Sequence, residues 1–155
     1  MLTDSEMILR LVMAVVLGGL VGWEREVYHK PAGFRTHILV CLGACLFTII
    51  SYTFPCDGNL RAVDPSRIAS GIVMGVGFLG AGAILHEQGS VKGLTTAASI
   101  WVVAAIGMAT GAGFYTGAII TAVLVVIVLF VLNKIEKYYI EKFNREKTIE
   151  KGKLL

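Results

Sequence analysis

Charged residues separate the first apolar run of the chain from the second. Glu24, Arg25 and Glu26 follow the first run, and Arg35 with Thr36 begins the approach to the second. A charge at the centre of a bilayer costs at least ~2.5–3.5 kcal/mol, so ions near the ends of spans reach the surface, pair, or serve a site. The cluster predicts an ion-pair network, a contact with a partner or lipid headgroup, or an ion site at one mouth of a helix bundle.

Two of these residues could bind a metal. The carboxylates of Glu24 and Glu26 offer oxygen ligands to Mg²⁺, which usually keeps several waters and takes only one or two carboxylates. A structural or topogenic role is the simpler interpretation of the pair. No cofactor is required by the sequence, and Mg²⁺ is the ion for which it offers ligands.

A second polar group lies in the fourth apolar run, where Thr95, Thr96 and Ser99 share a broad helix face with Gly107. Hydroxyls inside a membrane bond across helices, typically for about 0.6 kcal/mol each, or return to their own backbone. We expect this face to point at the third run as packing contacts, with a substrate or ion contact as the alternative. Arg67, at the start of the third run, is a further candidate for a partner contact.

The remaining motifs carry no enzyme signature. His29, His37 and His86 are far apart in sequence, and HEQGS lacks the second histidine of a zinc-protease helix. The letters GVGFLG lie inside an apolar run without a preceding strand, so they do not predict dinucleotide binding. We therefore expect a protein that is not an enzyme, and no basic soluble surface indicates nucleic acid as a partner.

The three cysteines lack metal spacing. Cys41 and Cys45 lie one helical turn apart in an apolar run, where small apolar packing is the simpler role. Cys56 lies in a polar loop.

Composition defines the elements that must position these residues. Hydrophobic residues make up 55% of the 155 residues and charged residues only 16%, against about 45–50% and 25% in soluble domains. Five apolar runs follow one another: Ile8–Trp23, Ile38–Phe54, Ile68–Leu85, Leu94–Thr110 and Phe114–Leu132. The sequence predicts an all-α, polytopic membrane bundle of about five transmembrane helices in residues 1–132. Residues 133–155 form a charged tail, expected to be an amphipathic helix on the membrane surface or a solvated segment.

Charge placement predicts the orientation. With the C-terminus in the cytoplasm, eleven of the 14 Lys and Arg residues lie inside, as the positive-inside rule requires. We therefore expect the N-terminus outside, the C-terminus inside, and contact with membrane lipid along the spans.

Small residues mark the expected helix contacts. Gly18 and Gly22 lie on one face of the first run, and Gly residues let helix backbones approach closely in a bilayer. The third run carries Gly71, Gly75 and Gly82 on one face and Gly77 with Gly80 on another. We expect the third helix to be central, its hairpin with the fourth to be the packing centre, and a second copy or another membrane protein to meet its free face.

Four stretches, GGLVGWERE, AGFRT, SRIASGIVMGVGFLGAGAIL and VKGLTTAASIWVVAAIG, resemble the MgtC/SapB family of bacterial inner-membrane proteins from Gly18 to about Tyr115. The family pattern falls on Gly22, Glu24, Arg25, Gly33, Arg35, Thr36, Arg67, Gly71, Gly77, Gly80, Gly82, Gly93, Leu94, Thr96 and Ala97. Thr95 departs from it, since MgtC has Asn there. The chain stops after a short tail where many members continue into a soluble domain, so a short SapB-like form is expected.

The resemblance implies a multi-pass protein of the bacterial cytoplasmic membrane, linked to low magnesium, acid stress and virulence. One hypothesis is a regulator or accessory factor that binds another membrane protein, such as the F-type ATP synthase. The alternative is a transporter of Mg²⁺ or another cation.

Overall fold

In the part of the chain that it describes, a computed structural model shows five helices and one short hairpin. The helices are α1 (Asp4–Val27), α2 (Phe34–Thr53), α3 (Ser66–Gly82), α4 (Leu94–Gly111) and α5 (Tyr115–Gly152), and strands β1 (Leu85–Glu87) and β2 (Ser90–Lys92) form an antiparallel pair between α3 and α4. The structure describes residues 2–53, 64, 66–87 and 90–152, with side chains described at 2–52, 64, 66–84, 91–135 and 139. Cys56 lies outside the described residues.

Four helices are long and apolar enough to cross a membrane: α1, α2, α4 and the first 21 residues of α5. The fifth, α3, is apolar but has 17 residues, which span about 26 Å of a hydrocarbon core of about 30 Å. The predicted all-α membrane bundle is confirmed. The third helix ends at Gly82 instead of Leu85, because the chain enters the β-hairpin there.

Local signals define several helix ends. Thr3 and Glu6 form a capping box before α1, in which the Glu6 amide donates to the Thr3 hydroxyl at 3.3 Å. Before α3, the Ser66 hydroxyl and amide both donate to the Asp64 carboxylate, and these bonds lower the pKa of Asp64. Gly113, with φ of 82°, closes the tight turn between α4 and α5.

The tightest packing joins α1, α2 and α4, and α4 contacts every other helix. α1 lies against α2 at Gly18 and Gly22: a Cβ on Gly18 would come within 2.7 Å of the Cys41 Cβ, and one on Gly22 within 2.8 Å of the Phe34 Cα. A Cβ on Gly107 of α4 would come still closer to the Cys41 carbonyl of α2. Glycine at these three positions lets the helix backbones touch.

The third helix lies at the edge of the bundle, so its expected central position is wrong. It contacts mainly α4, burying Ile72, Val76 and Gly80, while Met74 and Phe78 are 71% and 81% exposed. Its residues are apolar on every side, and apolar side chains in a bilayer gain little by turning from lipid toward protein. The hydrophobicity of the third helix therefore does not predict whether it lies at the centre or at the edge of the bundle.

The glycines of α3 differ in their surroundings. Only at Gly80 would an added Cβ meet a described atom, the Ala97 Cβ at 3.6 Å, whereas Gly71, Gly75, Gly77 and Gly82 have no such neighbour within 4 Å. Their role in helix packing stays a prediction, and it now requires a helix from outside this chain.

Of the four long spans, the one in α5 has the smallest share of residues buried inside the protein. It buries Ala118, Ala122 and Leu129 against the bundle and exposes most of its Val, Ile and Leu side chains. The helix continues without a break across the predicted boundary at residue 133. Nearly all side chains of the predicted amphipathic tail lie outside the described ones.

Candidate functional site

Polar side chains gather where α1 ends and α2 and α4 begin, a region that we call the Glu24 end. Glu24 and Arg25, on the last turn of α1, are 7% and 2% exposed. The Arg25 Nε donates to Glu24 Oε2 at 2.5 Å, so two of the predicted site residues form a buried ion pair. The second carboxylate oxygen, Glu24 Oε1, is buried and has no hydrogen-bond partner among the described residues.

His37 completes this cluster. It is fully buried, with Nδ1 2.9 Å from the Gly33 carbonyl and Nε2 3.0 Å from the Ser99 hydroxyl of α4. A carbonyl can only accept, so Nδ1 carries a proton. The sequence did not predict His37 as a site residue, because the three histidines are far apart along the chain. Its spacing to Cys41 and Cys45, on one face of α2, was the available signal for burial.

The hydroxyl face of α4 divides between the bundle and a cavity. Ser99 and Thr96 are each 3% exposed, and the Ser99 hydroxyl, 2.8 Å from the Thr96 carbonyl, can donate its one proton either to that carbonyl or to His37 Nε2. Ser99 and Gly107 face α2 instead of α3, so the expected direction of this face is wrong. The closest backbone contact of α4 is with α2, and that contact takes the small and polar residues. Thr95 is exposed.

The other predicted site residues lie apart from the buried cluster. Glu26 is exposed, and its Oε2 accepts the Phe34 amide at 3.0 Å, which caps α2. Arg35 and Thr36 are exposed on the first turn of α2. Arg67 is exposed at the opposite end of the bundle, on the first turn of α3.

A resident Mg²⁺ does not fit the two carboxylates. Glu24 is paired with Arg25, and Glu26 caps α2, so the two side chains do not converge. Of the oxygens of these two carboxylates, Glu24 Oε1 is buried without a described hydrogen-bond partner, and it lies beside a guanidinium that would repel a cation. No group of three or more His, Cys, Asp or Glu side chains that could hold a metal occurs among the described residues.

A cavity of about 620 Å³ lies beside the ion pair, between the α1–α2 connection, the start of α4 and α5. Its polar lining comes from Arg25, Lys30, Lys92, Thr95, Thr96 and Asn133. The Glu24 end thus combines a buried network with an adjoining space of mixed polarity.

Arg10 lies at the opposite end of the bundle, which we call the Arg10 end. One Arg10 terminal nitrogen donates to the Gly111 carbonyl at 2.5 Å, joining the start of α1 to the end of α4. A cation at the C-terminal end of a helix is favourable because of the helix dipole. Arg10 therefore links two helices across the bundle.

Five packed helices, four of them able to span a bilayer, and a buried ion pair with a histidine at one end define a polytopic membrane protein. A sequence profile of the MgtC family matches residues 11–138. The chain belongs to the MgtC family.

Characterised and uncharacterised relatives agree with this assignment. The chain is 47% identical over 134 residues to the putative magnesium transporter YhiD of Escherichia coli K12, covering 84% of this chain and 62% of that protein. It is 41% identical to SapB of Bacillus subtilis over 80% of this chain and 55% of that one. It is 43% identical to MgtC of Brucella abortus over 76% and 48%.

The chain thus spans about half to three-fifths of the length of these relatives, SapB included. No solved structure matches the chain.

Proposed function

We propose that this chain is a non-enzymatic regulator or accessory factor of the bacterial cytoplasmic membrane, which acts by binding a transmembrane helix of another membrane protein. The observation that carries the proposal is the open glycine face of α3. Gly71 and Gly75 have no described atom within 4 Å of an added Cβ, although they lie in an apolar helix inside a membrane bundle.

These two glycines line a groove of about 630 Å³ between α2 and α3. The lining is entirely apolar, from Leu39, Val40, Gly43, Ala44, Phe47, Ile68, Gly71, Ile72, Gly75, Val76 and Leu79. Glycine at the floor of a groove lets a second backbone come close, which is the usual geometry of helix pairing in membranes. An apolar transmembrane helix is the occupant that matches this shape and composition.

Family membership supports the physiological role that we propose. A relative named putative magnesium transporter supports a link to magnesium homeostasis, and the resemblance to MgtC implies links to acid stress and virulence. A regulator in this setting would bind an ion-handling complex, and the F-type ATP synthase is the partner we propose.

The groove can be tested by filling it. Gly75→Leu places a side chain where the partner helix would lie, whereas Val123→Leu adds one methylene at an exposed position of α5. Full-length variants are reconstituted with bacterial F-type ATP synthase, and co-purification and ATP-driven proton pumping are measured.

We expect wild type and Val123→Leu to bind the synthase and change pumping, and Gly75→Leu to lose both effects. Equal binding by all three proteins, or no binding by wild type, would contradict the proposal.

Transport of Mg²⁺ is the second candidate, and a relative named putative magnesium transporter supports it. Glu24 is the buried carboxylate at which transport can be tested, because its Oε1 has no described hydrogen-bond partner. Liposomes containing the full chain and an internal Mg²⁺ dye test it, with and without a membrane potential. Flux that Glu24→Gln abolishes would establish transport, and absence of flux under both conditions would reject it.

A further inference from the structure

We propose that the cavity at the Glu24 end binds a phosphate group, carried by a soluble anion or by the headgroup of an anionic lipid. All charged side chains that line the cavity are cationic, namely Arg25, Lys30 and Lys92. Donors face the cavity from α1, the start of α4 and α5, which matches the several acceptor oxygens of a phosphate. This site is independent of the α3 groove.

The first observation is the state of Arg25. Its side chain is 3% exposed, and Nε is bonded to Glu24. No hydrogen bond joins its two terminal nitrogens to a described residue, yet Arg25 lines the cavity. A guanidinium presents its N–H groups in a rigid fork that binds phosphate through two parallel bonds. The two terminal nitrogens of Arg25 therefore lack a described acceptor at the cavity, and we infer that the acceptor comes from outside the chain.

The second observation is Asn133 of α5. Its Nδ2 is buried and lacks a hydrogen-bond partner, and the residue lines the same cavity. Buried donors are normally satisfied by protein or water. Arg25 and Asn133 lie on different helices that line one cavity, and one anionic ligand between them would accept hydrogen bonds from both.

The start of α4 supplies the third wall. Gly93, the N-cap, has φ of 91° and provides no side-chain acceptor, so the N–H groups of the first turn have no capping side chain. A Cβ at this position would collide with the Ala83 carbonyl, which favours glycine. Uncapped N–H groups and the positive end of the helix dipole favour an anion.

The charge balance agrees with this ligand. Glu24 pairs with Arg25 but does not line the cavity. Lys30 and Lys92 are exposed at the rim of the cavity. Among the described side chains that line the cavity, every charged one is therefore a cation. Val128, Leu129 and Leu132 form an apolar wall along α5, which would accommodate an acyl chain if the phosphate belongs to a lipid.

Two probes distinguish the sources of the phosphate. The full chain in phosphatidylcholine nanodiscs is titrated with inorganic phosphate and followed by ³¹P NMR. In parallel, native mass spectrometry measures retention of phosphatidylglycerol against phosphatidylcholine. Binding in the first arm identifies a soluble anion, and selective retention in the second alone identifies a lipid headgroup.

Three variants test the location. Asn133→Leu removes one donor, and the double change Glu24→Gln with Arg25→Gln removes the fork without leaving an unpaired carboxylate. Lys134→Gln, an exposed neighbour that does not line the cavity, is the control.

We expect binding to be about tenfold weaker in Asn133→Leu and at least about tenfold weaker in the double variant, as for loss of charge-assisted bonds, and unchanged in Lys134→Gln. If the double variant fails to fold, Asn133→Leu decides the result. Equal affinity in Asn133→Leu and Lys134→Gln, or binding of neither probe by wild type, would overturn the proposal.

Discussion

Buried charge at the Glu24 end is balanced within two consecutive residues of α1. One hydrogen bond joins Glu24 to Arg25, and both side chains are shielded from solvent. Removing one member of a buried pair is far more costly than removing both, because a lone buried charge remains. The pair should therefore behave as one unit in mutagenesis.

Arg25→Gln tests this unit directly. We expect it to lower the free energy of unfolding by about 3–5 kcal/mol, because it leaves the Glu24 carboxylate buried without its cation. The double change Glu24→Gln with Arg25→Gln should cost clearly less. Unfolding of detergent-solubilised protein by SDS titration gives both values, and a double variant that loses more than the single one would refute the idea.

Ser99→Ala probes the neighbouring hydrogen bond. It leaves His37 Nε2 buried without its partner, so a loss of about 1–3 kcal/mol in unfolding free energy is expected. Thr95→Ala, at an exposed position of the same helix, should change stability little. Thermal unfolding in the same detergent compares the two, and similar losses would argue against the His37–Ser99 contact.

For single residues, the sequence predicted which side chains belong to the site better than it predicted which residues they contact. Glu24, Arg25 and Ser99 were chosen because charges and hydroxyls beside apolar runs are unusual. His37 was missed because its contact with Ser99 joins residues 62 positions apart. A local pattern indicates that a residue is polar in an apolar setting, but not which helix supplies its partner.

Glycines in α3 and α4 serve different helices despite similar spacing. Gly107 lies against the α2 backbone, whereas Gly77 faces open space. The chain provides a matched comparison of one substitution in two surroundings.

Gly107→Ala should destabilise the bundle by roughly 1–3 kcal/mol, as overpacking does, because its Cβ would overlap the Cys41 carbonyl. Gly77→Ala should be neutral or gain about 0.5–1 kcal/mol from helix propensity. SDS unfolding of the two variants measures the difference. A larger loss in Gly77→Ala would show that Gly77 is buried in the working protein.

Self-association is the further prediction for α3. Gly77 lies on the flank away from the α2–α3 groove, and we propose that this flank pairs with a second copy of the chain. Gly77→Leu should shift a homo-oligomer toward monomer in nanodiscs, measured by mass photometry, while Val123→Leu should not. A wild-type protein that is monomeric throughout would contradict this prediction.

Helix positions were predictable where helix neighbours were not. Apolar runs bounded by Pro31, Gly33 and Gly93 define five helices close to those observed, because the cost of burying charge fixes where spans end. The β-hairpin was missed, since three-residue strands leave almost no pattern. The edge position of α3 was missed because its composition closely resembles that of α4.

The molecule as a whole has two unlike ends. At one end Arg10 joins α1 to α4 near a cavity of about 290 Å³, whereas the Glu24 end has a larger cavity with exposed lysines at its rim. The positive-inside rule assigns the Glu24 end to the cytoplasm.

A reporter fused after residue 155 checks this orientation. We expect a C-terminal fluorescent protein to be active and a C-terminal alkaline phosphatase to be inactive. The reason is that the C-terminal part of α5 and the Glu24 end should both lie on the cytoplasmic side. The opposite result would place the cavity outside the cell.

The contacts of α4 also bear on how the chain is assembled during synthesis. α1 and α2 pair extensively and can associate as soon as both have left the ribosome, but α3 finds little to hold until α4 follows. The third helix should therefore wait in lipid or beside the insertion machinery while the fourth is made. Insertion of α4 is then the step that turns separate spans into one bundle.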